Sequence, residues 1–188
     1  GKSTVALLMA RFYDPSSGEI LLDGIPLKEW DIAWVRSFVG FVPQDVFLFS
    51  TSISDNIRFG NDQLDQEAIE TAAKQADVYE NIMEFPDRFE TILGERGITL
   101  SGGQKQRVSI ARALAKNPKM LILDDCLSAV DTHTEHTILE NLKQVTKGKS
   151  SLIISHRVSS ARLANRIFVL AEGKIVESGT HDELMKDQ

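Results

Sequence analysis

The sequence predicts an α/β protein with a mostly parallel sheet and an inserted helical subdomain. Two unbroken apolar runs, Met120–Leu123 and Leu152–Ile154, are typical of central parallel strands that are buried on both faces. Strand and helix patterns alternate at both ends of the chain, whereas the middle reads as helical. We therefore expect residues 1–44 and 116–188 to form the core, and residues 45–115 to form the helical subdomain.

The sequence predicts short secondary-structure elements in the N-terminal third of the chain. Residues 2–11 read as a helix, and residues 19–22 read as a short strand. That strand ends at Asp23-Gly24, a dipeptide that is preferred in tight turns. A further short strand is predicted at Val39–Val42, because proline at the next position cannot continue a sheet ladder.

Longer helices and a hairpin follow. Residues 65–82 place apolar side chains at helical spacing, which predicts one amphipathic helix. A second helix is predicted over residues 103–116, with Arg112 facing mostly outward. Residues 167–170 and 174–177 flank a glycine-containing turn and predict a β-hairpin.

Composition excludes several classes of protein. With 188 residues and 42% hydrophobic content, the chain can bury a core of its own. The net charge of −6 argues against a nucleic-acid partner, which usually meets a basic surface. The longest apolar run, Val5–Ala10, is far shorter than the ~20 residues that cross a bilayer. The single cysteine, Cys126, is interpreted as a packed core thiol.

Two features predict phosphate chemistry. Ser101-Gly102-Gly103 stands at the start of a predicted helix, where glycines expose backbone N–H groups and the helix dipole attracts anions. Asp124-Asp125 ends a predicted buried strand, and paired acids at such a place hold a magnesium–nucleotide complex and activate water. The chain therefore combines a phosphate-sensing element with a hydrolytic one.

These motifs resemble those of one family. Leu100–Gln104 resembles the signature motif of ABC-type ATPases, and Met120–Asp125 resembles their Walker B strand. The first residues, Gly1–Thr4, are similar to the end of a Walker A loop. The resemblance implies a P-loop NTPase (RecA-like) core that binds ATP and Mg²⁺. Since the first glycine of that loop is absent, we expect a piece of a longer protein, and expect residues 1–188 alone to bind ATP poorly and to aggregate.

The resemblance implies roles for the N-terminal motif and for one loop. Gly1 closes the phosphate loop, Lys2 contacts the β- and γ-phosphates, and Thr4 hydrogen-bonds a phosphate oxygen. The hydroxyl of Ser3 binds Mg²⁺. Gln44 corresponds to the Q-loop glutamine, which touches Mg²⁺ or the attacking water and senses the transmembrane partner.

It implies further roles after residue 100. Asp124 is the Walker B acid that holds Mg²⁺, and His156 is the switch histidine that contacts the γ-phosphate. Residues 128–131 resemble the D-loop, so that Asp131 contacts the opposite subunit. The signature residues bind, in trans, the nucleotide that a second ABC domain holds: Ser101, Gly102, Gly103 and Gln104.

One residue departs from the family pattern. Asp125 stands where the family usually has a glutamate that polarises the attacking water. Aspartate withdraws the carboxylate by one methylene, and a misplacement of about 1 Å can cost roughly a hundredfold in rate. We therefore expect the site built on Lys2 and Asp125 to hydrolyse ATP slowly, while the intact signature completes a partner's site. This asymmetry resembles heterodimeric exporters with one degenerate site.

The exporter assignment depends on a second resemblance. Residues 91–97 resemble the X-loop of ABC exporters, with Glu95-Arg96 expected to meet an intracellular loop of a transmembrane domain. Residues 45–57 offer an apolar face for the same contact. The expected partners are a second ABC domain, identical or not, and transmembrane domains that lie upstream or in another chain. The expected location is the cytoplasmic face of the cell (inner) membrane.

Two alternatives stay open at this point. One is a soluble ABC ATPase that acts on DNA or ribosomes, although such proteins often carry a coiled-coil or basic insertion that this chain lacks. The other is a nucleotide switch that binds ATP without hydrolysing it, which Asp125 keeps open.

Overall fold

The computed structural model describes residues 1–94 and 98–186. The strands of this part are β1 (Leu21–Leu22), β2 (Ile25–Pro26), β3 (Val39–Val42), β4 (Met120–Asp124), β5 (Ser150–Ile154), β6 (Ile167–Ala171) and β7 (Lys174–Gly179). The helices are α1 (Lys2–Met9), α2 (Ile32–Phe38), α3 (Ile53–Arg58), α4 (Gln66–Gln75), α5 (Tyr79–Met83), α6 (Gly102–Ala115), α7 (Thr132–Val145), α8 (Val158–Ala161) and α9 (His181–Leu184).

A parallel sheet of order β3-β4-β5 forms the centre of the fold. Helices α3 to α6 lie between β3 and β4 in the chain, and α7 connects β4 to β5. The predicted class, an α/β fold with a parallel sheet and a helical insertion, is confirmed. The boundaries at residues 45 and 115 stay a prediction.

Strand β4 is buried on both faces, as its unbroken apolar run predicts. Leu121 and Leu123 belong to a large core that the helices α3, α4, α6 and α7 line. Ile122 points to the other side, where it packs in a smaller core with Ala6 of α1 and Val35 of α2. The alternation of side chains along a strand therefore gives each layer of helices its own core.

Strand β5 does not fit the same prediction. Its residues run from exposed at Ser150 and Ser151 to buried at Ile154. Among the described residues β5 hydrogen-bonds only with β4. Burial on both faces is therefore wrong for this strand, because an apolar run does not indicate how many neighbours a strand has.

The single helix predicted over residues 65–82 is also wrong. Helix α4 ends at Gln75, and α5 begins at Tyr79. Asp77 lies between them with a φ of 54°, a left-handed conformation that stops an α-helix. Both helices still bury apolar residues in the large core, which is why the periodicity continues across the break.

The predicted turns and the signature helix are confirmed, with one correction. Asp23 and Gly24 form the β1–β2 turn with φ values of 51° and 79°. Helix α6 begins one residue before the predicted start and ends one residue earlier. Arg112 on this helix is half-buried rather than outward. Its guanidinium donates to the carbonyls of Phe47 and Asn56, which would otherwise lack partners.

Candidate functional site

The site lies where α1 meets the carboxyl ends of β4 and β5. Helix α1 begins at Lys2, with Gly1 as the residue before its first turn. The Ser3 hydroxyl donates to Oδ1 of Asp124 over 3.2 Å. Nζ of Lys2 lies 3.4 Å from Nδ1 of His156. The structure therefore joins Lys2 and Ser3 to two residues that follow them by more than 100 positions in the sequence.

The order of strands in the sheet explains why these residues lie close together. Strands β3, β4 and β5 are parallel neighbours, so their carboxyl ends meet at one edge. Gln44 follows β3, Asp125 follows β4, and His156 follows β5 at this edge. Thr4 and Gln44 are exposed, and neither makes a side-chain hydrogen bond within the described part of the chain.

The two acids have different environments. Asp124 is 5% exposed, whereas Asp125 is half-buried. Asp125 has a φ of 46°, and its backbone N–H donates to the carbonyl of Ile154 over 2.9 Å. A non-glycine residue in the left-handed region is uncommon, and aspartate is among the residue types that tolerate it best. Residue 125 is therefore held in a demanding backbone conformation beside the end of β5.

The signature residues form the start of α6. The Ser101 hydroxyl accepts from the backbone N–H of Gln104, and the Gln104 side chain accepts from the backbone N–H of Ser101. This capping box satisfies two N–H groups that a helix start leaves free. A side chain on Gly103 would place its Cβ 3.0 Å from the Ala129 carbonyl oxygen, so this close packing favours glycine. Gly102 is exposed beside Ala129.

The signature motif is separate from the Lys2 site in this chain. Within residues 1–94 and 98–186, no hydrogen bond joins Ser101 to Lys2, Asp124 or His156. The motif instead packs against residues 128–131, which follow β4. Within the described residues, the signature motif and the Lys2 site are therefore two groups of residues that these hydrogen bonds do not join.

Asp131 caps the next helix. Its carboxylate accepts from the backbone N–H groups of His133 and Thr134 at the start of α7. These bonds stabilise the charged form, so they lower the pKa of Asp131, with the bonds from Thr134 as the largest cause. The exposed carboxylate therefore has a local structural partner in addition to the role that the resemblance implies.

Sequence reasoning missed three residues that support the site. The Arg157 guanidinium pairs with the buried Glu135 carboxylate on α7 and donates to the carbonyl of Ser128 over 3.0 Å. Gln106 on α6 contacts Ser128 from the other side. Arg157 directly follows His156, and this position next to a predicted site residue could have indicated that Arg157 supports the site. The partners lie too far away in sequence to be found by spacing.

The donor set fits magnesium bound together with phosphate. Ser3 Oγ and Asp124 Oδ1 are hard oxygen donors that lie 3.2 Å apart at the start of α1. Within the described part of the chain, no group of three or more His, Cys, Asp or Glu residues is placed to hold a metal. Magnesium commonly takes one or two protein oxygens and completes its shell with water and phosphate. These residues therefore suit Mg²⁺ as a complex with a nucleotide.

An aromatic surface lies in the segment that follows Gln44. Phe47 is 66% exposed and Phe59 is 53% exposed, and Phe49 lies between their rings. The Arg112 guanidinium lies 5.6 Å from the Phe49 ring centroid and 5.8 Å from that of Phe59. We name Phe47, Phe49 and Phe59 the aromatic patch. Phe47 and Phe49 belong to residues 45–57, the segment predicted to offer an apolar face, and Phe59 lies two residues beyond it.

Two further observations bear on a membrane role. The Glu95-Arg96 pair of the proposed X-loop lies outside the described residues. None of the helices in residues 1–94 and 98–186 has both the length and the apolar character of a membrane-spanning segment.

Comparison with known proteins identifies the family. The family model described as ABC transporter matches residues 1–128. The human protein named mitochondrial potassium channel ATP-binding subunit is 49% identical over 187 residues, which covers 99% of this chain and 25% of that protein. ABC transporter B family member 1 of Arabidopsis thaliana is 50% identical over 184 residues, 98% of this chain and 14% of that protein.

A solved structure agrees with these matches. A bacterial Atm1-family ABC exporter with ATP bound superimposes with a TM-score of 0.94 at 42% identity. The match covers 100% of this chain and 33% of the exporter chain. This chain thus spans a third or less of the relatives that it matches. The family match, the confirmed α/β core and the meeting of Lys2, Ser3, Asp124 and His156 lead to one conclusion: the chain belongs to the ABC transporter family and has the P-loop NTPase fold.

Proposed function

We propose that this chain is the ATP-binding and ATP-hydrolysing motor domain of an exporter-type ABC transporter. The observation that carries the proposal is the pairing of Ser3 with Asp124 beside Lys2 and His156. This arrangement combines a cation for phosphate, hard oxygens for magnesium and a histidine within reach of the same place. The membership of the ABC transporter family supports it.

Each residue has a defined task in this proposal. Gly1, Lys2 and Thr4 bind the phosphates of ATP, and Ser3, Asp124 and Gln44 provide oxygens for Mg²⁺. Bound Mg²⁺ supplies charge neutralisation on the phosphate oxygens. His156 contacts the γ-phosphate, and its 3.4 Å contact with Lys2 supports that position. Asp125 and Gln44 orient the attacking water.

We propose that Ser101, Gly102, Gly103 and Gln104 act on the nucleotide of a second ABC domain. The separation of this motif from Lys2 within the chain supports a role in trans. Asp131 contacts the same partner from its position on the capped start of α7. Closure of two such domains around ATP then provides the movement that drives attached transmembrane domains.

Asp125 makes the chain's own site slow in this proposal. The carboxylate is one methylene shorter than that of glutamate, so it polarises the attacking water less well. A second candidate, a nucleotide switch that binds ATP without turnover, is favoured by the same residue. A soluble ABC ATPase is the weaker alternative, since one of the similar structures is that of an exporter.

The aromatic patch is proposed as the contact for a transmembrane domain. Exposed aromatic side chains that lie beside the half-buried Arg112 suit a protein partner. We propose a membrane location for the same reason. A mouse relative is named as a mitochondrial member of ATP-binding cassette sub-family B, so relatives support a membrane in general and not the cell membrane in particular.

Steady-state ATP hydrolysis by the full-length protein in a lipid bilayer tests the motor role. In a dimer of identical chains, we expect ATP turnover in the wild type and a loss of at least about a hundredfold in Lys2→Met, because the phosphate cation is removed from both sites. Lys105→Met replaces an exposed lysine of α6 and serves as the matched control. ATP binding without turnover in the wild type would favour the switch instead.

Mixing two inactive variants tests the role in trans. In a dimer of identical chains, Lys2→Met and Ser101→Arg variants each lack activity. A mixed dimer contains one site with an intact lysine and an intact serine only if the signature acts across the dimer. We expect activity to return on co-expression. Failure to return would refute the trans assignment.

A further inference from the structure

Residues 128–131, which we call the bridge segment, are held on one side by the signature helix. The Gln106 amide nitrogen donates to Oγ of Ser128 over 3.1 Å, and the backbone N–H of Ala129 donates to the Gln106 amide oxygen over 3.0 Å. Gln106 is 6% exposed. The nitrogen and the oxygen of this buried amide therefore both bind the bridge segment to α6.

Arg157 also holds the bridge segment, through other atoms. Its guanidinium donates to the carbonyls of Ser128 over 3.0 Å and Val130 over 3.4 Å. Glu135, which is 3% exposed, pairs with the same guanidinium and accepts from the Ser159 hydroxyl over 2.6 Å. Movement of Arg157 away from this place would leave a buried carboxylate without its cation, which is strongly unfavourable.

The bridge segment thereby joins the two chemical features of the chain. Gly103 packs against Ala129, so the backbone of the signature motif rests on the segment. Arg157 follows His156 directly, so the segment is also bonded to the loop that reaches Lys2. A shift of the bridge segment would therefore move the signature motif and His156 together.

We propose that Gln106 and Arg157 are positioning residues that set the bridge segment, and thereby fix the signature motif relative to the chain's own phosphate site. The inference rests on the proposed function. Neither residue needs to touch nucleotide. Their effect is geometric, because hydrolysis depends on placement to within about 1 Å.

Kinetics of the full-length protein with Gln106→Met test this. Methionine is of similar length but offers the Ala129 N–H and the Ser128 hydroxyl no comparable partner. We expect kcat for ATP hydrolysis to fall about tenfold or more, with KM within threefold and a melting temperature close to that of the wild type. Gln144→Met, on an exposed part of α7, is the matched control and should keep wild-type kcat.

A double-mutant cycle separates positioning from packing. Ser128→Ala should lower kcat by itself but add little to Gln106→Met, because both remove the same contact.

The outcomes are distinguishable. No ATP turnover in the wild type would refute the proposed function itself. Normal turnover in the wild type with unchanged kcat in Gln106→Met, or independent effects of the two substitutions, would overturn the positioning role alone. If Gln106→Met does not fold, Ser128→Ala decides, and an unchanged kcat in that variant overturns the inference.

Discussion

The backbone N–H of Asp125 donates to the carbonyl of Ile154, two residues before His156. This bond joins the end of β4 to the end of β5 and holds Asp125 with a φ of 46°. Asp125 is therefore in a backbone conformation that aspartate adopts more readily than longer side chains.

Asp125→Glu should raise activity and lower stability. The longer carboxylate reaches the attacking water, so we expect the site that contains Lys2 to hydrolyse ATP about tenfold faster or more. Glutamate tolerates the left-handed backbone less well, so the melting temperature should fall slightly. Single-turnover hydrolysis by the full-length protein measures the rate, and thermal unfolding measures the melting temperature. Asp125→Asn, which removes the charge, is the control, and an unchanged rate in Asp125→Glu would refute the degenerate-site proposal.

Arg112→Met should destabilise the protein. The guanidinium donates to the Asn56 carbonyl over 2.7 Å, to the Asn56 side chain over 2.8 Å and to the Phe47 carbonyl over 2.9 Å. Burial lowers the pKa of this arginine, which agrees with a cation held largely out of water. Its loss removes this donor from the carbonyls of Asn56 and Phe47, whereas the Asn56 side-chain oxygen keeps the backbone N–H of Phe49. The cost is about 2–4 kcal/mol, so we expect the melting temperature to fall by roughly 5–10 °C.

The control for this prediction lies on the same helix. Lys105→Met removes an exposed cation of α6 and should change the melting temperature by less than about 2 °C. Equal melting temperatures for both variants would contradict this role of Arg112.

Asp131→Ala should reduce stability in a pH-dependent way. Hydrogen bonds from Thr134 and His133 lower the pKa of Asp131 in the folded state. A carboxylate whose pKa is lowered on folding stabilises the fold above its unfolded pKa of about 3.9 and loses that contribution as the pH falls through the folded value. The difference in melting temperature between wild type and Asp131→Ala should therefore be largest near pH 7 and shrink below about pH 4. A difference that is constant with pH would contradict the cap.

Cys126 should resist alkylation in the folded protein. Its side chain is buried, and burial, reinforced by the charges of Asp125 and Asp124, raises its pKa to about 12. Since only the thiolate reacts, iodoacetamide at pH 8 should not label the peptide that contains Cys126, whereas the same treatment in urea should label it. Mass spectrometry of that peptide measures the modification. Rapid labelling of the native protein would contradict the interpretation as a packed core thiol.

The amino-acid sequence alone determined the fold class, the buried strand at 120–124, the hairpin turns and the family. These depend on local patterns: apolar runs, glycine-containing turns and short motifs whose residue types carry the chemistry. Only the tertiary structure decided the break at Asp77, the exposed start of β5 and the half-buried position of Arg112. It also decided the hydrogen bonds by which Gln106 and Arg157 hold the bridge segment. Each depends on partners that are distant along the chain, and periodicity contains no information about which distant backbone group a side chain will meet.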